Sequence, residues 1–222
     1  MKTITTRMVE NADEEAAVYR LRYDYYVGWC EINVRHADHE RLALRDERDA
    51  RALQFATFAG HDVVGGFRIE VGAPDSLRFG ADWHCGDFLD AVPVKIGLVS
   101  WLVADPHLRD TTVLSHMARE SVGLAGDLEL DHVFFECCPA HWPLFHLAGL
   151  KRKGGALRHR ITGLNSAVFH LDRSDRHVAA LAAREFGAPV VVKSGRVVGE
   201  AGDRAAHLAV RRRSAGLVSG GN

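Results

Sequence analysis

The chain has 222 residues, 47% of them hydrophobic, with 28 Lys and Arg against 29 Asp and Glu for a formal charge of −1. That length buries a real core and predicts about one large domain, or one domain with an appendage. Basic residues are spread along the chain, which argues against a nucleic-acid partner, because phosphate binding needs a clustered basic surface. No apolar run approaches the ~18 residues of a membrane span. Met1-Lys-Thr-Ile4 leads into polar residues rather than a secretory signal. A cytoplasmic protein with no membrane span is expected. Cys30, Cys85, Cys137 and Cys138 are too few and too unpatterned for a disulfide framework.

In chain order, Asp13-Glu14-Glu15 predicts a helix start with Asp13 as its cap, and Val18, Leu21 and Tyr25 fall on one face of a helix that carries Arg22. Residues 28 to 48 read as charged, irregular chain that, with Asp49, sets His36, Asp38, His39 and Asp46 in a loop able to fold over a pocket. Gln54 to Ala59 and Val63 to Glu70, divided by Gly60-His61-Asp62, form a hairpin signal. Gly65 and Gly66 mark a bulge or a close backbone approach within it. Pro74 to Pro93 is a long connection with Trp83, His84, Cys85 and Phe88, read as a lid or substrate wall.

Ile96, Leu98, Val99, Trp101, Leu102 and Val103 make a strand buried on both faces, ended by Asp105-Pro106. After Arg109, Val113, Leu114, Met117, Ala118, Ser121, Val122 and Ala125 recur at three and four, one buried helical stripe with Gly126 as its stop. His132 to Glu136 is the next strand. Strand, crossover helix and strand imply a parallel pair, with the helix N-terminus beside the strand end and its free N–H groups open to an anion. Pro143 to Leu150 follows as a short helix closed by Gly149, and Thr162 to Leu171 as the last strand of a domain spanning residues 1 to 172. Residues 173 to 222 read as a small extension: a helix around Asp175 to Phe186, a hairpin through Val190 to Val198 and a basic, Gly-rich tail, suited to packing or to a homodimer contact.

The order of elements from Ile96 to Gly155 resembles the thioester site of the GNAT acyltransferase superfamily. More narrowly, Tyr19-Arg-Leu-Arg-Tyr-Asp-Tyr-Tyr-Val27, Asp46-Glu-Arg-Asp49 and Gly65-Gly-Phe-Arg68 resemble the N-terminal half of the autoinducer synthases and the related long-chain N-acyl amino acid synthases. The resemblance spans roughly residues 5 to 172. It implies an α/β fold of GNAT type, a mixed, twisted sheet flanked by helices. It also implies acyl transfer to an amine, with no tightly bound cofactor and with acyl carrier protein or a CoA thioester as the donor partner. Arg22 with Tyr26, Asp46 with Asp49, and Arg68 hold the places of those families' recurring arginine, aromatic and acidic residues.

The departures narrow this reading. Leu98 and Trp101 stand where autoinducer synthases carry a Glu and an Arg, which argues against lactone synthesis from S-adenosylmethionine. The loop Arg109-Asp-Thr-Thr-Val-Leu114 has no glycine, and glycines are what let backbone N–H groups reach a pyrophosphate. Arg109, Thr111 and Thr112 remain able to hold one phosphate, so a carrier-protein phosphopantetheine suits the loop better than CoA. Phe145 aligns with the tyrosine that often protonates the departing thiolate.

Acyl transfer to an amine needs a donor to the thioester carbonyl, a base for the ammonium proton, and a pocket that aligns the two. The donor is expected to be a backbone N–H near Leu102 or Val103. Glu136, at the end of an apolar strand, is the first choice of base and His141 the second. Arg22 and Arg68, with Asp46 and Asp49, are expected to bind the acceptor, a guanidinium fork matching a carboxylate; the same four residues also suit a purely structural ion network. Cys137-Cys138 suits the core or an acyl-cysteine route. With His141 and His84-Cys85 it lacks the paired spacing of a zinc motif, so no metal site is expected. Trp83, Phe88 and Trp101 line an acyl tunnel or fill the core.

Three functions are compatible with these residues: N-acyltransfer from a carrier-protein thioester to an amino acid or similar amine, CoA-dependent N-acetylation, and a GNAT-like binding module without catalysis. A pocket open between the two central strands favours an enzyme. One plugged by Trp101 or Phe145 favours the module.

Overall fold

A computed structural model describes residues 3–73, 77, 95–108, 112–147, 150–159 and 161–172. Seven strands form one sheet in the order β1-β2-β3-β4-β5-β7-β6. They are β1 (Ile4–Met8), β2 (Leu53–Ala59), β3 (Asp62–Gly72), β4 (Ile96–Ala104), β5 (His132–Cys137), β6 (Lys151–Arg158) and β7 (Asn165–Asp172). The helices are α1 (Ala12–Tyr23), α2 (Thr112–Asp127) and the short α3 (Trp142–Leu147). All pairings are antiparallel except β4 with β5, the parallel pair expected on either side of the α2 crossover. Among the described residues no helix is long and apolar enough to cross a membrane.

The alternation of each strand divides the sheet into two unlike faces. Phe55, Phe67, Val99, Val133 and Phe135 point to one face and pack with Val113, Met117, Ala118, Val122 and Ala125 of α2 and Phe145 of α3 in one apolar cluster. The α2 stripe matches the positions expected from its spacing, with Leu114 only partly buried. Gly65 lets α2 lie close against β3, since a Cβ there would meet the Met117 sulfur at 2.5 Å. The opposite face carries α1, whose Val18 packs on Ala56 and Phe58, and it is here that charge is buried.

Several elements differ from expectation. The α1 cap is Asn11, whose side chain accepts from the Glu14 N–H at 2.9 Å, and Asp13 is one of three acids in the first turn. Past Tyr23 the chain widens into a π-helical turn, Asp24–Trp29, which carries Tyr25 off the face shared by Val18 and Leu21. Gly126 lies inside α2, which ends one residue later at Asp127. The edge strands β1 and β6 were not expected. Lys151-Arg-Lys-Gly-Gly155 is polar and glycine-rich because an edge strand needs no second apolar face and is protected by charge. The connection Pro74 to Pro93 and the extension 173–222 lie outside the described residues, Leu77 apart.

Candidate active site

The site begins where β4 and β5 part. Their pairing runs only from Ile96 opposite His132 to Val99 opposite Phe135. Beyond it β5 stays with β7 as far as Cys137 opposite Ala167, while β4 slips register against β3 between Gly66 and Arg68. The slip is absorbed at Trp101, whose φ of 53° is a left-handed conformation that bulky residues rarely take and that clusters at functional sites. The separation opens a narrow cleft lined by residues that include Tyr25, Tyr26, Trp101, Leu102, Glu136, Cys137, Cys138, His141, His159 and Ser166. Trp101 forms part of its wall. Phe145 is not in the lining; it sits in the core against Phe135 and Phe169.

Glu136, at the end of β5, keeps only 8% of its side chain exposed. The Ser166 hydroxyl donates to its Oε1 at 2.9 Å, and His159 Nε2 lies 3.8 Å from its Oε2. His159 Nδ1 accepts the backbone N–H groups of Ile161 and Thr162 at 3.3 and 3.1 Å, which leaves the proton of the neutral ring on Nε2, facing the carboxylate. Burial lowers the His159 pKa, with Glu136 pulling the other way. Trp101 packs edge-on against the same ring at 5.0 Å. His159 was missed from sequence: a histidine beside Arg158 at the end of an exposed strand has no periodic signal.

His141 follows β5 on a single 3₁₀ turn, Pro139–His141, and its Nδ1 lies 3.6 Å from the Cys138 sulfur. Burial lowers its pKa, so the ring is neutral near pH 7. The adjacent cysteines differ in burial. Cys137 belongs to the apolar cluster, where burial pushes its thiol far up, and Cys138 is half-buried in the cleft. The Tyr25 hydroxyl reaches the Cys138 and Cys30 thiols, and burial raises its pKa, which keeps it a donor.

Arg22 and Arg68 come together with Asp46 and Asp49, but out of reach of solvent. Both guanidiniums are essentially fully buried. Arg22 donates to Asp49 Oδ1 at 2.8 Å and to Gln54 Oε1 at 2.6 Å. Arg68 donates to both Asp46 oxygens at 2.6 and 2.9 Å, to Asp49 Oδ1 at 2.8 Å and to Ser100 Oγ at 2.9 Å. Arg48 pairs with Glu70 alongside. Burial works against the Asp46 carboxylate, but the Arg68 guanidinium outweighs it and holds the pKa at about 2. Trp101 Nε1 donates to Asp46 Oδ2 at 3.1 Å, which joins this network to the cleft wall. The loop that brings Asp46 and Asp49 here packs inward on Leu44 and Val34 beside Trp101.

Just past β4 the Asp105 N–H donates to the Val64 carbonyl of β3. Alternation along the extended residues turns the Val103 N–H the same way and the Leu102 N–H toward the cleft, beyond the stretch of β4 that pairs with β5 among the described residues. Arg109 and Thr111 lie outside the described residues, and Thr112 is the first residue of α2. Among the described residues no cluster of three or more His, Cys, Asp or Glu could hold a metal ion.

No protein-family model and no curated protein matches the sequence. Solved structures do match. FeeM, an N-acyl amino acid synthase from uncultured soil microbes, superimposes with a TM-score of 0.59 at 16% identity over 83% of this chain and 99% of its own. BjaI, a CoA-dependent acyl-homoserine lactone synthase, gives 0.62 at 16% identity over 96% and 100%. An acyl-CoA N-acyltransferase from Pseudomonas aeruginosa gives 0.52 at 10% identity over 77% and 99%. This is the GNAT fold. The neighbours include both branches to which the motifs between Tyr19 and Arg68 point, the N-acyl amino acid synthases and the autoinducer synthases. The likeness is one of fold, and the chemistry rests on the residues of the cleft.

Proposed function

We propose that this protein is an N-acyltransferase that moves an acyl group from a thioester to the amine of an amino acid or similar small molecule. The observation that carries the proposal is the open cleft at the splay of β4 and β5, with a nearly buried carboxylate, Glu136, held at its wall by Ser166.

In this reading the thioester carbonyl lies along β4 and the Leu102 N–H, rather than that of Val103, donates to its oxygen as charge develops. Glu136 takes the ammonium proton of the acceptor, and His159 acts as a positioning residue, its Nε2–H facing the carboxylate. Phe145 cannot donate a proton, and the neutral hydroxyl of Tyr25 stands in the cleft as the acid for the departing thiolate. Arg22, Arg68, Asp46 and Asp49 hold Trp101 in the cleft wall rather than contacting the acceptor. The donor is a carrier-protein thioester, because the loop from Arg109 to Leu114 lacks the glycines of a pyrophosphate nest; the cytoplasm is where such donors are made. CoA dependence, the property of BjaI, is the competing donor reading.

Glu136→Gln keeps the shape of the side chain and removes the base. Turnover is expected to fall ~10²-fold or more, with an unchanged unfolding midpoint. Near-normal turnover would take Glu136 out of the mechanism.

A further inference from the structure

Direct transfer to an amine needs one base, yet this cleft holds two groups suited to the task, and one of them stands against a thiol. His141 Nδ1 is 3.6 Å from Cys138 Sγ, a contact within the reach of an S–H···N hydrogen bond. On another side the Tyr25 hydroxyl reaches the same sulfur. Cys138 thus has a proton acceptor and a hydrogen-bond donor around it, in the cleft that also presents Glu136 and Leu102. Cys137 is the internal contrast: it also borders the cleft, but its side chain is buried in the apolar cluster, and burial pushes its thiol far up. A nucleophile within reach of a base, in a cleft shaped for the electrophile, is the arrangement of covalent catalysis.

Resting on the acyl-transfer reading above, we infer that Cys138 accepts the acyl group before the amine does. His141 Nδ1 takes the Cys138 thiol proton, and Sγ attacks the donor carbonyl carbon. The Sγ–C bond forms, the bond from carbon to the donor sulfur breaks, and the donor leaves as a thiol, its proton passed from the Tyr25 hydroxyl, which regains one from His141. In the second half the neutral amine attacks the acyl-Cys138 carbon. The C–N bond forms, the C–Sγ bond breaks, and the amine proton passes by way of Glu136 to the released sulfur. One thioester is exchanged for another and then for an amide, with no oxidant or further reactant. Neutral His141, kept so by burial, is able to begin the cycle near pH 7.

The test is intact-mass and peptide mass spectrometry of the full chain, acid-quenched after incubation with octanoyl-CoA, octanoyl carrier protein and octanoyl-N-acetylcysteamine, each without and with a pool of the common amino acids. The expected result is one octanoyl group on the Cys138 peptide, removed by hydroxylamine and by the amino acids, with N-octanoyl product appearing as it goes. Cys138→Ala should abolish the adduct and lower product formation ~10²-fold, and wild-type initial rates should give the parallel-line pattern of a ping-pong reaction. N-octanoyl product with no adduct, intersecting lines and near-normal turnover in Cys138→Ala would overturn the inference and leave N-acyltransfer standing. An adduct that no amine discharges would support the thiol and overturn the amine acceptor. Neither adduct nor product from any donor, with the protein folded, would overturn both.

Discussion

Two sets of polar side chains line the α1 face of the sheet, within contact of the same Trp101. In the set made by Arg22, Arg68, Asp46 and Asp49, nearly every charge has a short, directed partner: one carboxylate oxygen, Asp49 Oδ1, accepts from Arg22, Arg68 and Gln54 at once. In the set at the splay of β4 and β5, Glu136 has one short hydrogen bond, His159 stands off at 3.8 Å, and the Cys138–His141 contact is 3.6 Å. The guanidiniums of the first set are sealed from solvent, although Arg22 Nε has no hydrogen-bond partner among the described residues, and losing any member strands a buried charge. The second has longer, looser contacts and lines the cleft. Residue types alone did not separate them, since arginine with aspartate and glutamate with histidine are equally fit for binding or for structure. Access to the cleft separates them.

The sharpest way to break this contrast is to remove a member of the closed set. Asp49→Ala leaves Arg22 and Arg68 facing one another with less compensation and is expected to lower stability by about 3–5 kcal/mol, read from urea unfolding. A loss below ~1 kcal/mol would mean that the network is not the scaffold described. Acid is the next probe. The Asp46 carboxyl is held at about 2 against an ordinary 3.8. The unfolded chain therefore binds the proton first, so the Asp46 contribution is fully present above about pH 4 and is lost as pH falls toward 2. About 2 kcal/mol of stability should disappear across that window, and Asp46→Asn should flatten this part of the profile.

The open set should respond in rate rather than in stability. Ser166→Ala removes the 2.9 Å hydrogen bond that holds Glu136 and is expected to cost about tenfold in kcat, with an unfolding free energy within ~1 kcal/mol of the parent. The smallest effect is expected where the sets meet. Trp101→Phe deletes the 3.1 Å bond to Asp46 while Arg68 still covers that carboxylate; it should cost about 1 kcal/mol of stability and raise the acceptor KM more than it lowers kcat. Equal loss in kcat and kcat/KM would assign Trp101 to the transition state instead.

The parts of the fold that were legible in the sequence are those with a long, one-sided pattern. The α2 stripe, the doubly buried β4, the β2–β3 hairpin and the parallel β4–β5 pair all followed from apolar spacing and from glycine placement. The edge strands β1 and β6 were not, because an edge strand such as Lys151–Arg158 shows no clean alternation. Glu136 and His141 could be picked out as polar residues ending an apolar strand. His159 could not, because its place in the site comes from the β6–β7 turn that folds back over Trp101. The role of the arginines was undecidable from sequence for a different reason: whether a guanidinium is saturated depends on Gln54 and Ser100, neutral residues on other strands whose approach no local pattern encodes.

The central claim, that the cleft between β4 and β5 transfers an acyl group to an amine, is tested most directly by product mass spectrometry. Purified protein would be incubated with pooled amino acids and, in turn, long-chain acyl carrier protein, long-chain acyl-CoA and acetyl-CoA. An N-acyl amino acid formed with the carrier-protein donor, and lost in Glu136→Gln, is the predicted result; transfer from acetyl-CoA alone would replace the donor. No acylated product from any donor, with the protein folded, would contradict the account.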